Sequence, residues 1–137
     1  MRALLLVGAL LASPCARAAT VAVTVHGVRN AHGHVRVALC KKAEFLHPNC
    51  AWRGHAAAAV GDVVVRITNV PPGTYAAQAF HDENDDGKLD RNILGLPREA
   101  MGFSNDAPMR MGPPKFDAAA FDVKAPLTET SFKLRYF

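Results

Sequence analysis

The sequence predicts an all-β chain folded as a single antiparallel β-sandwich of about seven strands. Three observations predict it: short runs in which apolar and polar residues alternate, turn residues that bound those runs, and no long amphipathic helical pattern. The chain has 137 residues. Residues 1–18 read as a signal peptide and residues 19–137 as one sandwich domain, with a long loop over residues 91–114. A second domain would not fit in that length.

Arg2 gives the chain a positive start, Ala3 to Ala12 form an apolar run, and Ala16-Arg17-Ala18 is a small-x-small cleavage site. The apolar run is shorter than the roughly 20 residues that a retained membrane helix needs, and nothing later resembles a span. Cys15 follows Pro14, and Ala12 stands where a lipoprotein signal wants Leu, so Cys15 is read as discarded with the leader. The expected location is the periplasm or the exterior of the cell.

Val21, Val23 and Val25 alternate with Ala22, Thr24 and His26 over residues 20–27. Val35, Val37 and Leu39 alternate with His34, Arg36 and Ala38 over residues 33–40. Both runs read as half-buried strands joined by a turn at residues 29–33. Residues 43–61 leave strand and helix both open. Residues 63–70 are rich in β-branched side chains and stop at Pro71-Pro72-Gly73, where two prolines lack the N–H that a ladder needs. Residues 74–80 resume as a strand, with Tyr75, Ala77 and Ala79 on one face and Gln78 and Phe80 on the other. Residues 91–114 show neither period and read as ordered loop with a short helical turn near residues 97–101. Residues 115–124 and 128–137 supply two closing strands, the last alternating Phe132, Leu134 and Tyr136 with Ser131, Lys133 and Arg135.

Loss of the leader removes Arg2 and Arg17 and lowers the formal charge from +4 to about +2. The chain has no Lys/Arg cluster or basic helix, which argues against nucleic acid and anionic membrane as partners. The expected partner is a protein or small molecule of undetermined identity. Cys40 and Cys50 remain after processing, and an even pair in an exported chain is most simply a disulfide. Their spacing is neither CxxC nor a zinc pattern.

The most informative segment is the acidic run His81-Asp82-Glu83-Asn84-Asp85-Asp86-Gly87-Lys88-Leu89-Asp90. Counted from Asp82, oxygen-bearing side chains stand at positions one, three and five as Asp82, Asn84 and Asp86, with Gly87 at six, as in the first half of the EF-hand calcium pattern. Lys88 at seven offers a backbone carbonyl and Asp90 at nine a carboxylate. Ile93 occupies position twelve, where an EF-hand has its bidentate Glu, and the run follows a strand, so an EF-hand is excluded. Two readings follow. One is a strand-borne calcium site completed by Glu99, Asn92, a carbonyl or water. The other is a solvated turn, because Asn, Asp and Gly are what turns favour.

Catalysis has less support. Ser13, Ser104 and Ser131 are the only serines, none lies in a GxSxG elbow, and there is no HExxH or phosphate-cradling glycine loop. Asp82 and Asp90 could serve as an acid–base pair, but no pocket is implied. The histidines lack a short-spaced cluster with cysteine or carboxylate beyond His32/His34 and His81-Asp82, which read as surface or hairpin residues.

Several motifs occur in fixed order: VPPGTYA over Val70 to Ala76, His81-Asp82-Glu83-Asn84, Gly87-Lys88-Leu89-Asp90, Leu94-Gly95-Leu96-Pro97, Gly102-Phe103-Ser104-Asn105 and Gly112-Pro113-Pro114-Lys115-Phe116. In these the chain resembles the bacterial DUF2141 family, over essentially the whole mature length. The resemblance implies an exported sandwich of the transthyretin-like, Cna-B-like or Ig-like sort and no specific activity, because that family is one of unknown function. Two departures stand out: Asp85-Asp86-Gly87 where Gly-Asn-Gly is common, and Ala100 where a glycine is usual. The functional expectation is therefore a non-enzymatic, calcium-stabilised binding or accessory module. The alternative is a small-ligand carrier or adhesin-like domain with a purely structural acidic turn, for which an apolar cleft beside Phe103 is the feature to seek.

Overall fold

The computed structural model describes residues 8–9, 17–91, 94 and 97–137. Most of the segment read as a leader, with Cys15, lies outside the described residues, as do Asn92 and Ile93. Among the described residues eight strands form: β1 (Ala19–Val28), β2 (His34–Cys40), β3 (Trp52–Ala57), β4 (Gly61–Val70), β5 (Gly73–Asp82), β6 (Met101–Phe103), β7 (Ala120–Val123) and β8 (Leu127–Lys133). One sheet has the order β4-β1-β8. The other has the order β3-β2-β5-β6, with β7 also paired to β5.

The two sheets close on each other because the long strands turn most of their aliphatic positions inward. Val21, Val23, Val25, Val65 and Phe132 of the first sheet and Val35, Leu39, Tyr75 and Ala77 of the second are all fully buried in one cluster. Burying a Val, Leu or Phe side chain stabilises the fold by about 1.5–3 kcal/mol, and this inner layer supplies most of that term. A second cluster lies on the outer face of the larger sheet, where Phe45, Phe103, Ala76 and Ala119 pack around the Cys40–Cys50 disulfide. That bridge spans a sequence separation of 10 residues and stabilises the fold by roughly 2–3 kcal/mol in the chain-entropy account.

The neighbours β1 and β2 do not pair with each other but cross between sheets. β8 lies parallel to β1, from Thr20 opposite Leu127 to His26 opposite Lys133, whereas the other strand pairs are antiparallel. The reason is the connection: β7 belongs to the larger sheet, so the chain crosses over at residues 124–126 and enters the smaller one running with β1.

The segment at residues 43–61 resolves into the disulfide loop followed by strand β3. The loop at residues 91–114 is not free of structure. It holds β6, a 3-10 turn at Ser104–Asp106, and no helical turn at residues 97–101 among the described residues. The first half of the expected strand at residues 115–124 is instead one helical turn, Phe116–Ala119. Pro113 and Pro114 precede it, where missing N–H groups cost a helix nothing, and the turn buries Ala119 against the second cluster.

The Pro71-Pro72-Gly73-Thr74-Tyr75 corner has a local explanation. Gly73 adopts φ 157, and the Tyr75 hydroxyl donates back to the Pro71 carbonyl at 2.7 Å, closing the turn as tyrosine corners do in other sandwiches. Lys41 Nζ lies 4.7 Å from the Tyr75 ring centroid, and burial raises the phenol's pKa.

Candidate functional site: a clamped acidic loop

β5 ends at Asp82, and the acidic run continues from it as a loop. Asp82 is fully buried. Its Oδ2 accepts from Arg36 Nε at 2.6 Å and from the Gly87 N–H at 2.8 Å, while Oδ1 accepts from the Asp86 N–H at 3.2 Å. One carboxylate therefore folds the loop back on itself and ties it to β2. Asp82 is the pivot of the loop, with three protein donors on its two oxygens.

β2 grips the loop at a second point, where Asp85 Oδ1 stands 2.6 Å from His34 Nδ1 and 3.5 Å from Arg36 Nη2. Asp85 reaches there with φ 59 and Gly87 follows with φ 75, the left-handed conformations that Asp and Gly tolerate best. Opposite the loop's root, Gly33 has φ 67, and a Cβ there would collide with the Asp82 carbonyl oxygen. Glycine at that position is what lets the β1–β2 turn lie against the loop.

The turn at residues 29–33 adds a third hold. Arg29 Nε and Nη2 donate to the two Glu83 oxygens at 2.7 and 3.0 Å, and Asn30 Nδ2 donates at 3.2 Å. The Arg29 contact is the main cause of a lowered Glu83 pKa. Beneath them His81 is fully buried. Its Nε2 donates to the His32 carbonyl at 2.7 Å, and its Nδ1 lies 3.1 Å from the Tyr136 hydroxyl.

The remaining candidates gather on the outer side of the loop. Asn84 Nδ2 donates to Asp90 Oδ2 at 2.6 Å and to Asp86 Oδ2 at 3.4 Å, so one amide bridges two carboxylates. Asp86 Oδ1 accepts from the Lys88 N–H at 2.9 Å, the main reason the Asp86 pKa falls. Lys88 is exposed and enters the loop through that N–H. Glu99, only 6% exposed, closes the group from the far side and accepts from the Asp90 N–H at 3.4 Å. Burial first, and then the charges of Asp90, Asp82 and Asp86, raise its pKa to about 7. Among the described residues no three His, Cys, Asp or Glu side chains form a ready-made metal cluster.

The carboxylates expected from the sequence are thus brought together, with Asp82 set inward. Sequence reading missed Arg36, His34, Gly33 and Arg29. Alternation places His34 and Arg36 on the outward face of β2, but only the register His34 opposite Asp82 and Arg36 opposite Phe80 brings them to the loop.

The fold and site define a class: an all-β sandwich, with almost no helix among the described residues, whose larger sheet carries, at one end, an acidic loop clamped by basic side chains. The chain belongs to the bacterial family described as "Uncharacterized protein conserved in bacteria (DUF2141)", whose profile matches residues 23–131. No curated protein and no solved structure matches it.

Proposed function

We propose that this protein is an exported, non-enzymatic binding or accessory module of the periplasm or cell exterior, and that calcium orders its acidic loop. The observation that carries the calcium reading is the gathering of Asp86 and Asp90 on one Asn84 amide beside the buried Glu99, whose pKa burial first, and then the charges of Asp90, Asp82 and Asp86, raise to about 7. A hard divalent cation relieves such repulsion, and calcium takes six to eight oxygens at about 2.3–2.6 Å. Asn84 now places its amide N–H between Asp86 and Asp90; a turn of that amide puts its oxygen there instead. The ligands would be Asp86, Asp90, Asn84 and Glu99 with water, and the Lys88 carbonyl if the loop tightens. Asp82 keeps its protein partners and holds the loop in shape.

The non-enzymatic reading is supported by how the chemistry-bearing groups are used. The Ser104 hydroxyl accepts from the Ala77 N–H at 2.9 Å and donates to the Ala119 carbonyl, and His81 serves the His32 carbonyl and Tyr136. The carrier alternative has less behind it. The cavity beside Phe103 is about 140 Å³, below the roughly 300–1,000 Å³ of small-molecule sites.

Calorimetric titration with CaCl2 at pH 7.5 tests the calcium reading. It should give one ion per chain, and at calcium 100-fold above Kd the fold should gain about 2.7 kcal/mol. Asp86→Ala and Glu99→Gln should lose that gain. No heat and no thermal shift at millimolar calcium would end the calcium claim.

A further inference from the structure

The face of β2 turned away from the core carries another polar arrangement, separate from the carboxylates around Glu99. His34 and Arg36 alternate there with buried Val35 and Val37, and His55 on β3 stands across from Arg36. His34 and His55 are therefore diagonal neighbours on one face. Their ring centroids lie 5.4 Å apart, with the planes at 79°. Two imidazoles bound side by side to one ion, with metal–nitrogen distances of about 2.0–2.1 Å, have centroids roughly 4.5–5 Å apart, the lower value for a square-planar ion and the upper for a tetrahedral one. The pair stands within about 1 Å of the separation of two ligands of one ion.

Asp85 adds an independent observation. Its Oδ1 lies 2.6 Å from His34 Nδ1, which puts the proton of a neutral ring on Nδ1 and leaves the lone pair on Nε2. A carboxylate on one ring nitrogen is how metal-binding histidines are commonly oriented and made more basic. The His34 side chain is 33% exposed, and His55 is exposed at the edge of the sheet, so an ion can approach from solvent. The Arg36 guanidinium nearby is engaged with Asp82 and Asp85, and its charge is balanced there.

We propose that His34 and His55 form a binding site for a divalent transition-metal ion that prefers imidazole, namely Cu(II), Ni(II) or Zn(II). His34 Nε2 and a His55 ring nitrogen are the ligands, water completes the shell, and Asp85 is the positioning residue. None of the oxygens of the calcium reading takes part, so the two claims stand or fall separately.

The tagless chain, stripped of metal with chelator, is titrated with Cu(II) at pH 7.5, and the electron paramagnetic resonance of the complex is recorded. One ion per chain with coupling to two nitrogens is expected. His34→Gln and His55→Gln each weaken binding at least 10-fold and remove one nitrogen from the spectrum. Asp85→Asn weakens binding by about 10-fold but keeps both nitrogens. Asp86→Ala leaves copper binding unchanged. Unaltered affinity in the folded His34→Gln/His55→Gln double variant overturns the proposal, as does a spectrum without two-nitrogen coupling or loss of copper in Asp86→Ala.

Discussion

Arg36 reaches from the outer face of β2 to place Nε 2.6 Å from Oδ2 of Asp82, a carboxylate with no exposure to solvent. The same oxygen takes the Gly87 N–H, so one ion pair joins a strand, the end of its neighbour and the tip of a loop. Asp82→Ala leaves the Arg36 guanidinium only its 3.5 Å contact with Asp85 and strands two backbone N–H groups at once. A loss of about 2–4 kcal/mol is expected in urea denaturation. Arg36→Met should cost less, because the backbone donors remain on the carboxylate. Equal stability of Asp82→Ala and wild type would show that the pivot carries no weight.

Gly33→Ala tests the contact between the β1–β2 turn and the loop. The substitution asks alanine to hold φ 67 and drives its Cβ into the Asp82 carbonyl. The expected cost is about 1–3 kcal/mol, with hydrogen-exchange protection lost first around residues 82–87. Gly87→Ala meets no atom within 4 Å and should cost only the backbone preference, about 1 kcal/mol.

Glu99 sets a pH dependence whose sign follows from its raised pKa. A carboxyl that titrates at 4.5 in the unfolded chain and at about 7 in the folded one binds its proton more tightly when folded. It stabilises fully below pH 4.5, and that stabilisation is lost as pH rises through about 7. In chelator, the melting temperature should therefore fall across this window, by an amount worth roughly 1–3 kcal/mol. Glu99→Gln should flatten this part of the profile. A flat wild-type profile would contradict the burial of Glu99 beside those carboxylates.

Removing the disulfide as Cys40→Ala/Cys50→Ala should cost about 2–3 kcal/mol. Both sulfurs are buried beside Phe45, Ala76 and Phe103, so protease sensitivity should rise at residues 41–49 while the other sheet keeps its protection. Simultaneous loss of protection in both sheets would mean that the loop is part of the central core.

Much of the sandwich was legible in the chain because two-residue alternation is a direct record of one buried face. Val35, Val37 and Leu39 alternate cleanly, and Tyr75, Ala77 and Ala79 mark the inner face of β5 although Ala76 between them is buried on the other side. β3 was not legible: its inward positions are Trp52, Gly54 and Ala56, too small or too mixed to mark a face. The gathering of acidic residues on one loop was also plain from their spacing. The clamp was not, because Arg36 meets Asp82 only through the β2–β5 register, 46 residues apart in sequence. Asp82, first in the ligand pattern, is also the last residue of a strand; alternation puts its carboxylate on the outer face with Arg36, and the loop folding back over it takes it out of solvent.

β1 lies between β4 and β8, so its two edges wait for partners at residues 61–70 and 127–133. Loop closure on that scale slows folding. The smaller sheet cannot be completed until β8, the last strand of the chain, has joined β1. A chain that lacks residues 127–133 therefore leaves one long edge of β1 unpaired.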